Sequence, residues 1–369
     1  MPETTISSPT IPSTASSTHA ALWGRALRVV AWLSFLAQTI IIGTGGAVRL
    51  TGSGLGCSEW PLCTPESLVP IYADQGIHGV IEFGNRVMTG VVGIIALAVL
   101  LLVLARVGGK RLVFSALRFA AAGIVVAGIV FLIFSLMKLA ATPFAMGALL
   151  ITVIAAIVRS VRLASDRRDL VVLAWVVLAG VVAQALVGGI TVLTGLNPFI
   201  VGFHYVSSLL LVCVTAAFLV RLYAPALPRE RAVPKWFAIL THVTGLALAV
   251  TIVFGVLTTG SGPHSGDADV FRHGFDATVL AHVHSWPGYI LAALVLALTV
   301  SAWALRLEPR RWLLVLVIAI LVQVAVGVWQ AREGLPPILV GIHMVLASLS
   351  AAAYTVVALH LKKPIGTRD

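Results

Sequence analysis

The chain has 369 residues and a net charge of +11 with histidine neutral; 59% of its residues are hydrophobic and 11% charged. Soluble chains are about a quarter charged, so this composition excludes a soluble globular enzyme and leaves no room for a large soluble domain. The positive balance raises nucleic acid as a partner, but 20 of the 25 basic residues fall in alternate loops between apolar runs. That is the positive-inside bias that orients membrane helices, and it needs no nucleic acid.

Residues 1–23, rich in Ser, Thr and Pro, read as a disordered cytoplasmic tail. The first apolar run lacks a small-residue cleavage site after it and reads as a retained helix, not a signal peptide. Spans are expected near 24–46, 78–105, 114–137, 141–158, 170–193, 199–220, 236–257, 278–304, 312–331 and 337–361. Each run can cross a hydrocarbon core of about 30 Å. The expected class is an all-α, multi-pass protein of the cell membrane with about ten transmembrane helices and both termini cytoplasmic. The basic loops would attract anionic lipid.

An internal duplication organises these runs. QALVGGITVLTGLNPFIVGFH at 184–204 and QVAVGVWQAREGLPPILVGIH at 323–343 agree at nine of 21 positions, ending in His204 and His343. TGSG at 51–54 is echoed at 259–262. The TGSG pair is offset by 208 residues and the His pair by 139, so the first copy carries extra chain. An inserted helical hairpin over about 107–166 accounts for it and preserves the sidedness of everything downstream. The expected fold is two pseudo-symmetric four-helix bundles, 24–222 and 234–362, plus that hairpin.

Ionisable side chains inside a membrane segment are costly and usually face a bundle interior. His78, His204, His284 and His343 all fall near the outer ends of helices, and His204 and His343 occupy matching repeat positions. Paired histidines on facing helices can hold a haem iron from both sides. His282 and His284 lie on different helix faces, and His284 is the one expected to point inward. His78, Glu82, Asn85 and Arg86 share one helical face. Glu82 and Arg86 either neutralise one another, or serve as a proton-handling carboxylate and a contact to a haem propionate. Cys57 and Cys63 lie in an outer loop, where a disulfide is plausible. Such a pair either staples the loop or cycles between thiol and disulfide. Cys213 reads as core filler, and His264 and Asp267 as shaping the second outer loop.

The ordered set TGSGLGCSEWPLC, IEFGNR, QALVGGITVLTGLNPFIVGFH, TGSGPHSGD and GIHMVLASL resembles the haem A synthase family from about residue 27 to 361. The resemblance implies a reaction: oxidation of the C8 methyl of haem O to a formyl group, giving haem A for terminal oxidases. It makes His284 and His343 the axial ligands of a cofactor haem b in the second half. It makes His204 a ligand to the iron of haem O in the first half, with Asn85, Arg86 and His78 around that site. Glu82 takes the place of the required carboxylate, and Cys57 with Cys63 that of the outer-loop cysteine pair. The family commonly has His where this chain has Asn85, which leaves one imidazole at the first site unless His78 replaces it. Haem O, the lipid bilayer, a haem O synthase and a redox partner are the implied partners, with an oligomer open.

The competing reading is a di-haem membrane cytochrome serving a quinone pool, which would share the histidines but need neither Glu82 nor the cysteines. A transporter is a third reading, disfavoured because the polar residues cluster near the outer ends and not at the midplane.

Overall fold

The computed structural model describes residues 24–164, 166–262, 264, 266, 267 and 276–365. The tail expected over 1–23 and most of the second outer loop lie outside these residues. Among them are nine helices, all long and apolar enough to cross a membrane. In chain order they are α1 (Arg25–Leu50), α2 (Tyr72–Leu136), α3 (Ala141–Leu163), α4 (Arg168–Leu193), α5 (Pro198–Tyr223), α6 (Lys235–Ser261), α7 (Ala277–Ala304), α8 (Arg310–Arg332) and α9 (Pro337–Leu359). Two three-residue strands, β1 (Arg229–Arg231) and β2 (Lys362–Pro364), pair antiparallel and tie the linker between the halves to the end of α9.

Nine helices carry the ten expected runs because 78–105 and 114–137 both fall within α2, which is 65 residues long. At about 1.5 Å per residue no single bilayer crossing needs such a length. The helix is broken at Gly109, where φ is 62°, a backbone conformation that glycine adopts without a Cβ penalty. The part of α2 after the break packs against α3: Phe134 stacks on Phe144, and Arg159 donates to Ser115. These two stretches form the hairpin.

Setting the hairpin aside, α1, the first run of α2, α4 and α5 correspond to α6, α7, α8 and α9. The packing repeats with the sequence. Contacts α1–α2, α2–α4, α4–α5 and α1–α5 recur as α6–α7, α7–α8, α8–α9 and α6–α9. Across the halves α5 meets α9, while α1–α9 and α5–α6 are each other's counterparts. This is the contact pattern of a two-fold arrangement. Small residues allow the close approaches that helix packing in lipid depends on: Gly202 lies against Val256, Gly46 against Met344, and Gly245 against the Tyr354 ring.

The repeat segments build the same turn twice. Gly195 and Leu196 end α4, and Gly334 and Leu335 end α8, all four with φ between 58° and 74°. The Leu196 amide returns to the Thr191 carbonyl, and the Leu335 amide to that of Gln330. Proline then opens the next helix at Pro198 and Pro337, where its missing N–H costs nothing. Each short turn therefore sets the histidine six residues later, His204 or His343, in the second turn of its helix, aimed at the helix just left.

Candidate functional site

Two clefts open at the same end of the molecule, one in each half. The second-half cleft, about 820 Å³ between protein atoms, is lined by His284, His343, Gln323, Thr251, Gly255, Tyr205 and Arg49, among others. The His284 and His343 rings have centroids 6.3 Å apart and planes at 82°. With metal–imidazole bonds of about 2.0–2.1 Å plus the depth of each ring, that separation suits two rings on opposite sides of one metal atom. His284 Nδ1 lies 2.9 Å from the Thr251 carbonyl. A carbonyl only accepts, so Nδ1 carries the proton and Nε2 keeps its lone pair. His343 Nδ1 is buried without a hydrogen-bond partner. A glycine faces each ring: a Cβ would come within 2.9 Å of His284 at Gly255 and 3.0 Å of His343 at Gly327. This donor set fits an iron porphyrin. His282 is exposed and does not line the cleft.

The first-half cleft is larger, about 1,050 Å³ between protein atoms, and is continuous with a second lobe. His204 and Asn85 line both lobes, and Glu82 and Arg86 the first. His204 repeats the second half closely. Its Nδ1 is buried and unpartnered, and Gly188 faces it as Gly327 faces His343. Opposite, Gly45 faces Asn85 as Gly255 faces His284. Asn85 has already engaged its amide oxygen with the Thr44 hydroxyl at 2.8 Å. His78 is exposed, bonded to Ser53 Oγ at 2.9 Å, and absent from the residues lining either lobe. Among the described residues, the first cleft thus has one imidazole where the second has two.

Glu82 is buried, with Oε1 2.6 Å from the Arg86 guanidinium and Oε2 accepting the Cys57 amide at 2.7 Å. Arg86 also donates to the carbonyls of Leu62 at 2.8 Å and Glu59 at 2.9 Å. The pair therefore braces the loop over the first cleft, and Arg86 is tied to that loop. Cys57 and Cys63 form a disulfide, both fully buried. Inside that loop Trp60 and Pro61 reach into the cleft wall, with Trp60 stacked where a side chain on Gly189 would be. His264 Nε2 lies 2.8 Å from the Leu335 carbonyl, at the turn between α8 and α9.

Sequence reasoning missed Arg49. Its side chain lines both clefts. It also crosses from α1 into the second half, donating to the carbonyls of His264 and Thr259 at 2.7 Å each. The available signal was an arginine at the end of a span, apart from the loops where the other basic residues gather. Gln184 and Gln323 were visible only as repeat marks; the first accepts from Ser208 beside His204, and the second donates to the His343 carbonyl.

Comparison with known proteins finds the same resemblance over part of the chain. Residues 28–145 match the COX15-CtaA family model, described as a cytochrome oxidase assembly protein. The chain is 41% identical over 63 residues to the heme A synthase of Exiguobacterium sibiricum, covering 17% of this chain and 20% of that protein. It is 35% identical over 78 residues to the heme A synthase of Bacillus pumilus, covering 21% and 24%. The matched segments span about a quarter or less of these relatives.

Proposed function

We propose that this membrane protein is a haem A synthase that converts the C8 methyl of haem O to a formyl group in the first cleft. The observation that carries the reading is the asymmetry of two clefts built on one repeat. His284 and His343 face each other in one; His204 stands beside a buried carboxylate in the other. The partial matches to proteins named heme A synthase support the same reading. Methyl to formyl is a four-electron oxidation, and when the oxygen comes from water it releases four protons with the four electrons to an external acceptor.

His284 and His343 would hold a haem b, which when bound would supply a one-electron relay. The chain's own residues do the rest. His204 fixes the substrate iron from one side, and Asn85, holding Thr44, leaves the other side without an imidazole. Glu82 offers lone pairs beyond its bonds to Arg86 and Cys57, in a cleft wall it shares with Trp60 of the disulfide loop. Arg49 puts positive charge within reach of acidic groups in either cleft. A di-haem cytochrome would use the same histidines, but the carboxylate in the first cleft wall favours chemistry over transfer.

The test is the mass of haem extracted after production in cells that make haem O. A formyl haem is expected, reduced about 10²-fold or more by Glu82→Gln, with bound haem b unchanged. Unmodified haem O beside stable haem b in the wild type would instead support the cytochrome.

A further inference from the structure

The walls of the two clefts differ at more than the histidines. The second lobe of the first cleft leads away from the disulfide loop, along α1 from Arg49 to Gln38. Gly45 and Gly255 face Asn85 and His284, which sets α1 and α6 in register at an offset of 210 residues. At that offset Ile42 matches Ile252 and Gln38 matches Leu248, and all four line their clefts. On α5 and α9, offset by 139, Ser208 matches Ala347 and Leu211 matches Ser350. The two walls thus carry polar side chains at different places. The first has an amide where the second has a leucine.

Gln38 lies within a membrane-spanning helix and is only 2% exposed. Its amide nitrogen is buried without a hydrogen-bond partner. An unpaired buried amide is costly, the more so where lipid and not water surrounds the helix. Its place in a cleft wall points to a partner that arrives with the ligand. Two neighbouring polar groups of the lobe are engaged within the protein: Ser208 donates to Gln184 at 2.8 Å and Thr89 to the Asn85 carbonyl at 3.0 Å. Ile41, Ile42, Val92 and Val181 make the lobe otherwise aliphatic. Along α1, Gln38 lies two turns from Gly45, about 10 Å at about 1.5 Å per residue. That distance suits the rim of a porphyrin whose iron meets His204, and not the iron itself.

We infer that Gln38 recognises a hydroxyl on the rim of the substrate porphyrin and so separates haem O from haem b. The inference rests on the reading that the first cleft takes haem O. Haem O carries a hydroxyethylfarnesyl group where haem b carries a vinyl. A hydroxyl both donates and accepts, so it pairs with the amide in either orientation, whereas a vinyl leaves the amide unpaired. A site built around such a hydroxyl rejects the analogue that lacks it. The second cleft offers Leu248 at the matching position, a side chain suited to a vinyl.

The experiment is equilibrium binding to the full-length protein purified with haem b in its second cleft, followed by absorption. The probes are iron haematoporphyrin, with hydroxyethyl groups in place of the vinyls, and iron protoporphyrin. Neither has a farnesyl tail, so the ratio of their affinities isolates the hydroxyl. Gln38→Leu, which copies the second half, should lower that ratio about tenfold and leave the haem b bands in place. If Gln38→Leu loses those bands, Gln38→Met keeps the length of the side chain and should lower the ratio equally. A ratio unchanged in these variants would overturn the assignment, as would binding that persists in His204→Ala. No turnover enters the measurement. A wild type that makes formyl haem while the ratio is unmoved sinks this inference and leaves the synthase reading standing. A wild type that makes none, while Gln38→Leu collapses the ratio, does the reverse.

Discussion

The two histidine-lined clefts share a repeat, a turn and a facing glycine, yet differ on one wall. In the second half, α7 supplies His284, held by Thr251 and set 6.3 Å from His343. In the first half, the corresponding helix supplies Asn85, held by Thr44, and beside it the Glu82–Arg86 pair that anchors the disulfide loop. Duplication furnished the same frame twice. A two-imidazole site is saturated and suited to keeping a group, whereas a one-imidazole site beside a carboxylate is suited to exchanging and altering one. The difference lies in a few side chains, because the backbone that presents them repeats.

The largest expected effect tests the saturated cleft. His343→Ala removes one of two facing rings and should abolish bound haem b, seen as loss of its absorption bands in the purified protein. His204→Ala should leave those bands in place and remove the haem O bound in the first cleft. If both substitutions cost the same haem, the two clefts are not separate sites and the comparison breaks.

Asn85→His sharpens the contrast by making the first cleft resemble the second. The Gly45 wall leaves room, since a Cβ there stands 3.9 Å from the Asn85 amide. The variant should hold haem O with the spectrum of a two-histidine, low-spin iron. It should turn over about tenfold or more slowly if open coordination contributes even about 1.4 kcal/mol to the barrier. Unchanged turnover with a low-spin spectrum would remove open coordination from the account.

How far this contrast was legible beforehand follows from what each feature depends on. Helical spans follow from runs of apolar residues, which lipid demands wherever they occur, so the all-helical membrane architecture was readable throughout. The sharp break at Gly109 between the runs within α2 was not, because it turns on the backbone angle of that one residue. His204 and His343 were legible through the repeat. Choosing His284 over His282 needed only helical geometry. That His78 is exposed and engages Ser53 was not legible, since Ser53 lies 25 residues away in the loop after α1. Arg49 escaped for the same reason: its acceptors, His264 and Thr259, lie more than 200 residues away. Arg86 was visible as a charge, but its commitment to loop carbonyls appears only once the loop is folded over it.

The smallest expected effect concerns the residue that joins the clefts. Arg49 lines both, and its guanidinium is held by two backbone carbonyls, which neutralise no charge. A cation so placed favours the more negative, reduced state of an iron porphyrin nearby. Arg49→Gln keeps donors for the loop carbonyls and deletes the charge. The midpoint potential of haem b should therefore fall, by roughly 60 mV if the charge is worth a tenfold change in a one-electron equilibrium. Haem b content should hold, because His284 and His343 are untouched. Arg49→Lys restores the charge and should recover most of the potential even where it recovers only part of the loop contacts. A potential that stays put in Arg49→Gln would make Arg49 a strut between the halves. A potential that falls equally in both variants would assign the effect to loop geometry, and the electrostatic link between the clefts would be lost.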